Sequence, residues 1–265
     1  MVPSRVLSRG TAALRGTGMD QKSQALGGDA AMHLQDALLA SGDVEGFLHA
    51  LAGYAASAFS RPERAVHCGV HISSRRKASA SAASSSQALD LEHIQNSTGD
   101  GPQLAAVGDS TIVHIRDMER EERWPLYVKT AVTGGFRSVL VVPLALGDMA
   151  RGTLTFYAPV SSAFGSDDVA SFQLFAGEAS KSLRLALTIA RCQDARRDLL
   201  DALESRTVIG LAAGVIMAQN RCSQDDAFRI LREASNARHI KLRDVAASVI
   251  APMAAGTEVR VHFDE

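Results

Sequence analysis

The first part of the chain changes from a helical to an extended pattern of apolar residues near position 60. Apolar side chains recur at steps of three and four between residues 30 and 59, with a break at 41–43, which predicts two helices. Residues 66–72 alternate in character, as expected for a strand. Residues 78–86 alternate alanine and serine without proline or glycine. We interpret them as the second strand of a hairpin with residues 75–77 at its turn, in preference to a linker.

The next segment, up to residue 158, contains short helical and extended patterns in turn. These patterns predict helices at 89–94 and 124–132, a loop at 96–102, and strands at 112–115, 139–146 and 152–158. Residues 147–151 are typical of a turn that joins the last two strands. Because the strands pair mainly through hairpins, we expect an α+β domain.

From Ser166 onward, apolar residues follow a heptad repeat that predicts one helix over about residues 167–218. Such a long helix needs a packing partner, and we predict a coiled coil in a parallel homodimer. The alternative is two shorter helices packed on the first domain. The predicted dimer seam consists of Val169, Phe172, Ala176, Ala179, Leu183, Ala186, Ala190 and Leu200, with the polar residues Gln193 and Arg197 before its last member.

The C-terminal region shows three short amphipathic patterns, which predict a small three-helix bundle. Ser223 is suited to cap the second of these helices, and residues 236–239 form the turn before the third. On the first helix, small residues share one face, which allows an RNA loop or another helix to approach closely. This face contains Gly210, Ala213, Gly214 and Met217.

Overall composition gives no argument for a nucleic-acid partner, but the local charge does. The chain has 265 residues and a net charge of −1. Residues 221–243, however, include six basic and three acidic side chains, and a local patch is enough to attract phosphates. Arg238, His239 and Lys241 lie at the start of the third helix, where free backbone N–H groups also favour phosphate.

The chain shows no signal for a membrane or an oxidising compartment. Its longest apolar run, at 139–146, is too short to cross a bilayer. The sparse cysteines Cys68, Cys192 and Cys222 argue against a disulfide framework, so we expect a cytoplasmic protein. We interpret residues 1–28 as a disordered extension, or as the result of an upstream start with Met19 as the working one; a transit peptide is the alternative.

No motif predicts catalysis. The sequence lacks the common phosphate-binding, nucleophile and zinc-protease patterns, so we predict no catalytic residue and identify no cofactor. His67 and His71 lie four apart on one side of a strand but lack a third ligand, so we predict no metal site. Cys68 points the other way, into the core.

The C-terminal bundle resembles the ANTAR domain. Its motifs are Arg206, Ile209, Ala212, Gly214 and Met217 on the first helix, Cys222-Ser223, Ala227-Phe228, Leu231-Arg232 and Ser235 on the second, and Arg238 with Lys241-Leu242-Arg243-Asp244-Val245-Ala246 on the third. ANTAR domains bind paired hairpins in nascent transcripts and control antitermination. The resemblance therefore implies binding to RNA hairpins and not to duplex DNA. Together with the basic patch, it points to Arg206, Ala213, Gly214, Met217, Arg232, Ser235, Arg238, His239 and Lys241 as RNA-binding residues.

The first domain resembles the GAF domain that precedes ANTAR in actinobacterial regulators. The matching motifs are Asp90 with Gln95, Gly99-Asp100-Gly101-Pro102, Arg123-Trp124-Pro125, residues 137–144 and Ala163-Phe164. GAF domains are small-molecule or redox sensors with a central antiparallel sheet flanked by helices. The resemblance implies an unidentified small-molecule ligand. Trp124, Tyr127 and Phe136 are the candidate pocket residues, with aromatic core filling as the alternative.

These patterns define a predicted domain order. We expect a disordered extension at 1–28, a GAF sensor domain at 30–165, a coiled-coil linker helix at 166–203, an ANTAR domain at 204–252 and a tail at 253–265. The predicted function is that of an RNA-binding antitermination regulator controlled by its GAF domain. The alternatives are a ligand sensor whose helical tail binds protein, and a GAF-like enzyme such as a sulfoxide reductase, which would need an accessible thiolate.

Overall fold

The computed structural model describes residues 13–74 and 78–254. Within these ranges, residues up to Ala190 form one compact unit and residues from Arg191 onward form a second. No helix in these ranges is both long and apolar enough to cross a membrane.

In the described part of the first unit, five strands form an antiparallel sheet in the order β2-β1-β5-β4-β3. The strands are β1 (His67–Ser73), β2 (Ala80–Ala83), β3 (Val113–Ile115), β4 (Ser138–Leu144) and β5 (Arg151–Ala158). The predicted β1–β2 and β4–β5 hairpins are confirmed, while the turn residues 75–77 lie outside the described ranges. Strands β1, β4 and β5 are buried along nearly their whole length because helices cover both faces of the sheet.

One face of the sheet is covered by helix α1 (Ala13–Ala40), helix α2 (Val44–Phe59) and the first part of helix α6 (Ser166–Asn220). Asp43 separates α1 from α2 because its side chain accepts the Gly46 amide and caps the second helix. Aromatic rings fill the space beneath the helices: Phe172 of α6 lies 4.0 Å from Phe59 and 4.2 Å from Phe156 between ring centroids.

The opposite face is covered by helices α3 (Ser86–Thr98), α4 (Pro102–Asp109) and α5 (Pro125–Thr133). Successive strand residues point to opposite faces, so Phe156 belongs to the first core and its neighbour Tyr157 to the second. The first unit therefore has two separate apolar cores, one on each side of the sheet.

In the described part of the second unit, the end of α6 packs with helices α7 (Gln224–Arg238) and α8 (Leu242–Ala254). The predicted bundle of three helices is confirmed. Its buried core consists of Ala212, Ala213, Ile216, Ala227, Leu231, Val245 and Ala246.

Helix α4 was not predicted, because Gly99-Asp100-Gly101-Pro102 has the composition of a loop. In the structure, Gly99 ends α3 in a left-handed conformation with φ of 68°. Pro102 then occupies the first turn of α4, where its missing N–H group has no helical partner to lose. The loop is therefore limited to a few residues between two helices.

The prediction of disorder for residues 1–28 is wrong for residues 13–28, because α1 begins at Ala13. Ala30 and Leu34 are buried in the first core and fix the later turns of α1. A helix that is nucleated in this way extends easily by further residues. Residues 1–12 lie outside the described ranges, as do residues 255–265 of the predicted tail.

Candidate RNA interface and ligand core

The turn between α7 and α8 holds several predicted RNA-binding residues close together. His239 ends α7 in a left-handed conformation with φ of 54°. The Ser235 hydroxyl donates to the Ile240 carbonyl at 2.7 Å and closes the turn. Arg238, His239 and Lys241 therefore lie on a short turn, exposed at the start of α8, whereas the Ser235 hydroxyl is already used within the protein.

The exposed basic side chains of the second unit divide into free and paired groups. Arg206, Arg221, Arg232, Arg238 and Lys241 are exposed, and none of them forms an ion pair with another described residue. These side chains are available to phosphate groups of a partner.

Two arginines of the predicted basic patch are neutralised instead. Arg229 lies 2.7 Å from Asp226 and 3.6 Å from Glu233, and Arg243 lies 3.0 Å from Glu204. The available positive charge is therefore carried by fewer residues than the sequence indicates.

The prediction that Ala213 contacts RNA is wrong. Ala213 is only 3% exposed and belongs to the core of the bundle, and Met217 packs against that core. The helical period places both residues toward α7 and α8. From the sequence, the small residues of α6 could allow close approach of either an RNA loop or another helix. At Ala213 they allow close packing of another helix.

Gly210 and Gly214 lie on the exposed side of α6 instead. A Cβ atom added at either position would meet no other atom within 4 Å. Glycine inside a helix is less favourable than alanine by about 1 kcal/mol. Packing within the described chain gives no reason for either glycine, and each leaves the helix backbone open to close approach from outside.

The predicted dimer seam is wrong over most of its length. Five of its members, Phe172, Ala176, Ala179, Leu183 and Ala186, are buried in the first core, and Val169 packs against them. A heptad repeat also suits a helix that lies on a sheet, and this is how the first part of α6 is used. The helix nevertheless remains continuous to Asn220, and Leu200 is 53% exposed.

A different row of apolar residues on α6 is exposed. Leu185, Ile189, Leu199 and Leu203 are each at least 43% exposed, and Cys192 is exposed between them. Steps of four and three residues connect these positions through Arg196, which is the spacing of a heptad seam. We call this row the exposed seam.

The three candidate pocket residues lie together in the second core. Trp124, Tyr127 and Phe136 are each at most 8% exposed, and the Phe136 ring centroid lies 5.1 Å from that of Tyr157. The structure thus brings these rings together. Their use as a ligand pocket stays a prediction.

Glu92, which sequence reasoning missed, lies fully buried in the same region. Tyr157 donates a hydrogen bond to Glu92 Oε1 at 2.8 Å, and any side chain at Gly69 of β1 would collide with the carboxyl group. Burial raises the pKa of Glu92 to about 7, although the nearby Tyr157 and Thr155 hydroxyls act in the opposite direction.

The position of Glu92 could have been found from the sequence. On α3, Ala88, Leu91 and Gln95 are buried at steps of three and four, and Glu92 shares their side of the helix. An acidic residue on the buried side of an amphipathic helix is the signal for a buried carboxyl group.

His67 and His71 lie on one side of β1, as predicted. The Nδ1 atoms lie 2.9 Å from the hydroxyl oxygens of Ser85 and Ser81, respectively. Burial lowers the pKa of His71 to about 4, and it also lowers the pKa of His67. Within the described ranges, no group of three or more His, Cys, Asp or Glu residues could hold a metal ion.

Cys68 points into the first core, as predicted, and is fully buried. Burial raises the pKa of the Cys68 thiol well above its usual value, and the Glu92 carboxylate raises it further. The sulfoxide-reductase alternative requires an accessible thiolate, and Cys68 does not offer one.

Two family models match the chain in the order that its two units suggest. The first, described as GAF domain, covers residues 23–183, and the second, described as ANTAR domain, covers residues 197–250. This order defines a sensor domain followed by a regulatory output of the RNA-binding antitermination kind. The chain belongs to the GAF domain family and has the GAF-ANTAR architecture.

Solved structures show a more distant similarity. The GAF domain of an Acinetobacter phosphoenolpyruvate-protein phosphotransferase is 13% identical with a TM-score of 0.44, and the match covers 62% of this chain and 97% of that one. The acylhomoserine-lactone-dependent LuxR factor CepR2 of Burkholderia cenocepacia is 18% identical, with a TM-score of 0.45 and coverage of 61% and 99%.

A free methionine-R-sulfoxide reductase of Neisseria meningitidis is 16% identical with a TM-score of 0.43, and the match covers 64% of this chain and 93% of that one. A comparison with curated proteins gives no match.

Proposed function

We propose that the ANTAR domain binds paired RNA hairpins in nascent transcripts, and that the GAF domain controls this binding. The observation that carries the proposal is the set of exposed, unpaired basic side chains on the bundle, chiefly Arg206, Arg232, Arg238 and Lys241. Contact with phosphates is a local and salt-dependent attraction, so it does not require a basic chain overall.

The exposed glycines of α6 support recognition of an RNA loop in particular. Sequence-specific RNA recognition targets unpaired bases, because the deep major groove of an A-form helix is inaccessible to side chains. Gly210 and Gly214 leave the backbone of α6 uncovered, so that splayed bases could approach it closely.

The test is a titration of the full chain with a paired-hairpin RNA and with a DNA duplex of the same length, at several salt concentrations. We expect the RNA to bind more tightly. Arg232→Ala and Lys241→Ala should each weaken binding and lower the salt slope by about 1, as for loss of one phosphate contact. Arg229→Ala is the matched control on α7, because its guanidinium is already paired with Asp226.

The contrary results are equally clear. Equal RNA affinity for Arg232→Ala, Lys241→Ala and the parent chain would show that these contacts are misassigned. Failure of the parent chain to bind any hairpin, together with capture of one protein that requires the same arginines, would favour a protein partner for the helical module.

We further propose that the chain forms a parallel homodimer through the exposed seam of α6. In such a dimer, identical residues lie opposite each other, and the flanking positions decide whether two copies repel. The flanking residues Gln193, Ala195, Leu200 and Ala202 are all uncharged. Of the charged residues between positions 184 and 204, Arg196 alone falls on the seam or on these flanks.

Cys192 provides a direct test of this arrangement. It lies within the exposed seam, so the two copies of Cys192 face each other in a parallel, in-register dimer. Treatment with diamide should link the chains of a Cys222→Ser background at Cys192, and Cys192→Ser should abolish the link. An uncrosslinked, monomeric parent chain at micromolar concentration would contradict the proposal.

A further inference from the structure

We propose that the core between the sheet and helices α3 and α5 is a binding site for a small protonated amine, with Glu92 as its counter-ion. The inference rests on the proposed sensor role of the GAF domain and names the class of ligand. Three sets of observations support it: unpartnered polar atoms, the aromatic surroundings and the absence of a counter-ion among the described residues.

The first observation is a group of buried polar atoms without partners. Glu92 Oε2, the Tyr127 hydroxyl and Thr155 Oγ1 are buried and have no hydrogen bond of good geometry among the described residues, although Thr155 lies near Glu92 and Tyr127 lies near Tyr157. A native core leaves few such atoms, because each loses its contact with water without replacement. All three can accept a hydrogen bond, and an ammonium group is a donor only.

The second observation is the character of the walls. Trp124, Tyr127, Phe136 and Tyr157 all contribute rings to this core. The faces of aromatic rings carry partial negative charge and attract ammonium groups. A carboxylate among aromatic rings thus favours a cation and disfavours an anion.

The third observation concerns charge. Glu92 forms no ion pair with any lysine or arginine in the described ranges, although it is fully buried. An unpaired buried carboxylate is unfavourable, and an amine ligand would compensate it. The gain from ion pairing inside the core is the physical source of affinity and selectivity.

A groove marks the expected entry. Between α3 and α5, residues Asp90, Leu126, Lys129 and Thr130 line an open surface depression of about 330 Å³. The same two helices carry Glu92 and Tyr127. We place the entry here because the groove lies between the two helices that carry these residues.

The charge of Glu92 makes amine binding depend on pH. The other titratable groups on this side are Tyr127, Tyr157, His67 and His71, with Cys68 on the far side of β1. Burial raises the pKa of both tyrosines and of Cys68 and lowers the pKa of both histidines, so burial favours the neutral form of every one of these groups.

Glu92, whose pKa is raised to about 7, is therefore the group that ionises near neutral pH. Amine affinity should rise by about tenfold per pH unit up to pH 7 and then level off.

The chain offers a local probe for the experiment, because Trp124 is its one tryptophan. Ethylammonium and methylammonium chloride are titrated into the full chain at pH 8 while tryptophan fluorescence is recorded. Potassium chloride and the neutral analogues ethanol and methanol serve as ligand controls. Ligands of two or three heavy atoms should bind with dissociation constants on the order of 1 mM.

Variants separate the site from general effects of salt. Glu92→Gln should weaken amine binding by about tenfold or more. Asp109→Asn is the matched control, since it removes an exposed carboxylate from the neighbouring helix α4, outside the groove, and its affinity should equal that of the parent. Tyr127→Phe removes one buried hydroxyl of this core and should weaken binding by a smaller factor, which keeps the test decisive if Glu92→Gln folds poorly.

The inference is overturned if potassium gives the same response as the amines, if Glu92→Gln and Tyr127→Phe both bind like the parent, or if affinity does not change between pH 5 and pH 7. Loss of the amine response with normal RNA binding would refute this inference alone. An intact amine response with no RNA binding would refute the proposed RNA function alone.

Discussion

At two exposed glycines of α6, a change to alanine should have opposite effects on stability and on RNA binding. No other atom lies near the Cβ position of Gly210 or Gly214, so Gly→Ala at either site introduces no clash. Each substitution should raise the free energy of unfolding by about 0.5–1 kcal/mol, because alanine is the better helix former. If RNA approaches the backbone here, each should also weaken RNA binding.

Thermal melts and RNA titrations of the same samples measure both effects. Gly177→Ala is the matched control, because Gly177 is an exposed glycine of α6 within the first unit and also has no neighbour at its Cβ position. It should stabilise the chain without changing RNA affinity. Unchanged RNA affinity in Gly210→Ala and Gly214→Ala would remove the proposed close approach.

Two buried titratable residues should have opposite effects on stability as the pH changes. Glu92 has its pKa raised to about 7, so the folded chain holds a proton that the unfolded chain has lost. The contribution of Glu92 to the free energy of unfolding therefore falls by about 3 kcal/mol as the pH rises from about 4.5 to 7. His71 has its pKa lowered to about 4, so the unfolded chain binds a proton that the folded chain does not. The contribution of His71 to the free energy of unfolding therefore rises by about the same amount between about pH 4 and 6.5.

The two effects nearly cancel in the parent chain, and single variants should reveal them. Glu92→Gln should become more stable as pH rises from 4.5 to 6.5, whereas His71→Gln should become less stable. Urea unfolding at pH 5, 6 and 7 measures these slopes. A Glu92→Gln profile as flat as that of the parent chain would contradict the assignment.

At the scale of elements, α6 has two apolar sides with different roles. The side that includes Phe172 and Leu183 is covered by the first core, whereas the exposed seam with Leu199 and Leu203 is free within the described chain. Leu199→Glu combined with Leu203→Glu should convert a dimer to a monomer, because four like charges would then meet along one seam.

Sedimentation at micromolar concentration measures this change. Leu211→Glu is the matched control, since Leu211 is 58% exposed on the same helix but lies off the heptad positions of the seam. A parent chain that sediments as a monomer, or a double variant that remains a dimer, would show that the exposed seam is not the interface.

The elements were largely predictable from the sequence because their local signals agree with their packing. The β4–β5 hairpin, the long helix and the three short C-terminal helices all have strong patterns. The role of the heptad repeat was not predictable, since the same spacing suits a partner helix and a sheet. Only the three-dimensional position of Phe172 against Phe59 and Phe156 decides between them.

The candidate sites were predictable to different degrees. Exposed arginines and lysines were identified because a charge run is visible in the sequence. The pairing of Arg229 with Asp226 and the burial of Ala213 required coordinates. Glu92 was not predicted, because the motif residues of this segment are Asp90 and Gln95 and a glutamate is usually exposed. Gln95 has a structural role, because its Oε1 atom accepts the backbone N–H of Gln103 and joins α3 to α4.

At the scale of the whole molecule, a dimer would carry two RNA-binding modules. Once one module has bound one hairpin, the second module can bind a second hairpin of the same RNA within the same complex. Linking two binding events in this way commonly increases the apparent affinity by about 100-fold or more. We expect tandem-hairpin RNA to bind that much more tightly than a single hairpin. Leu199→Glu with Leu203→Glu should remove this advantage while leaving single-hairpin affinity intact.

Fluorescence anisotropy with labelled single and tandem hairpins measures this difference. Equal affinity of the parent chain for the two RNAs would mean that two modules do not act together on one transcript.

We propose above all that this GAF-ANTAR chain acts on transcripts through its bundle of basic helices. The most direct measurement is crosslinking in the cells that make the protein, followed by sequencing of the bound RNA, with an Arg232→Ala, Lys241→Ala double variant processed in parallel. We expect a small set of leader transcripts that contain closely spaced hairpins and disappear with the double variant. The same background RNA from both proteins would contradict it.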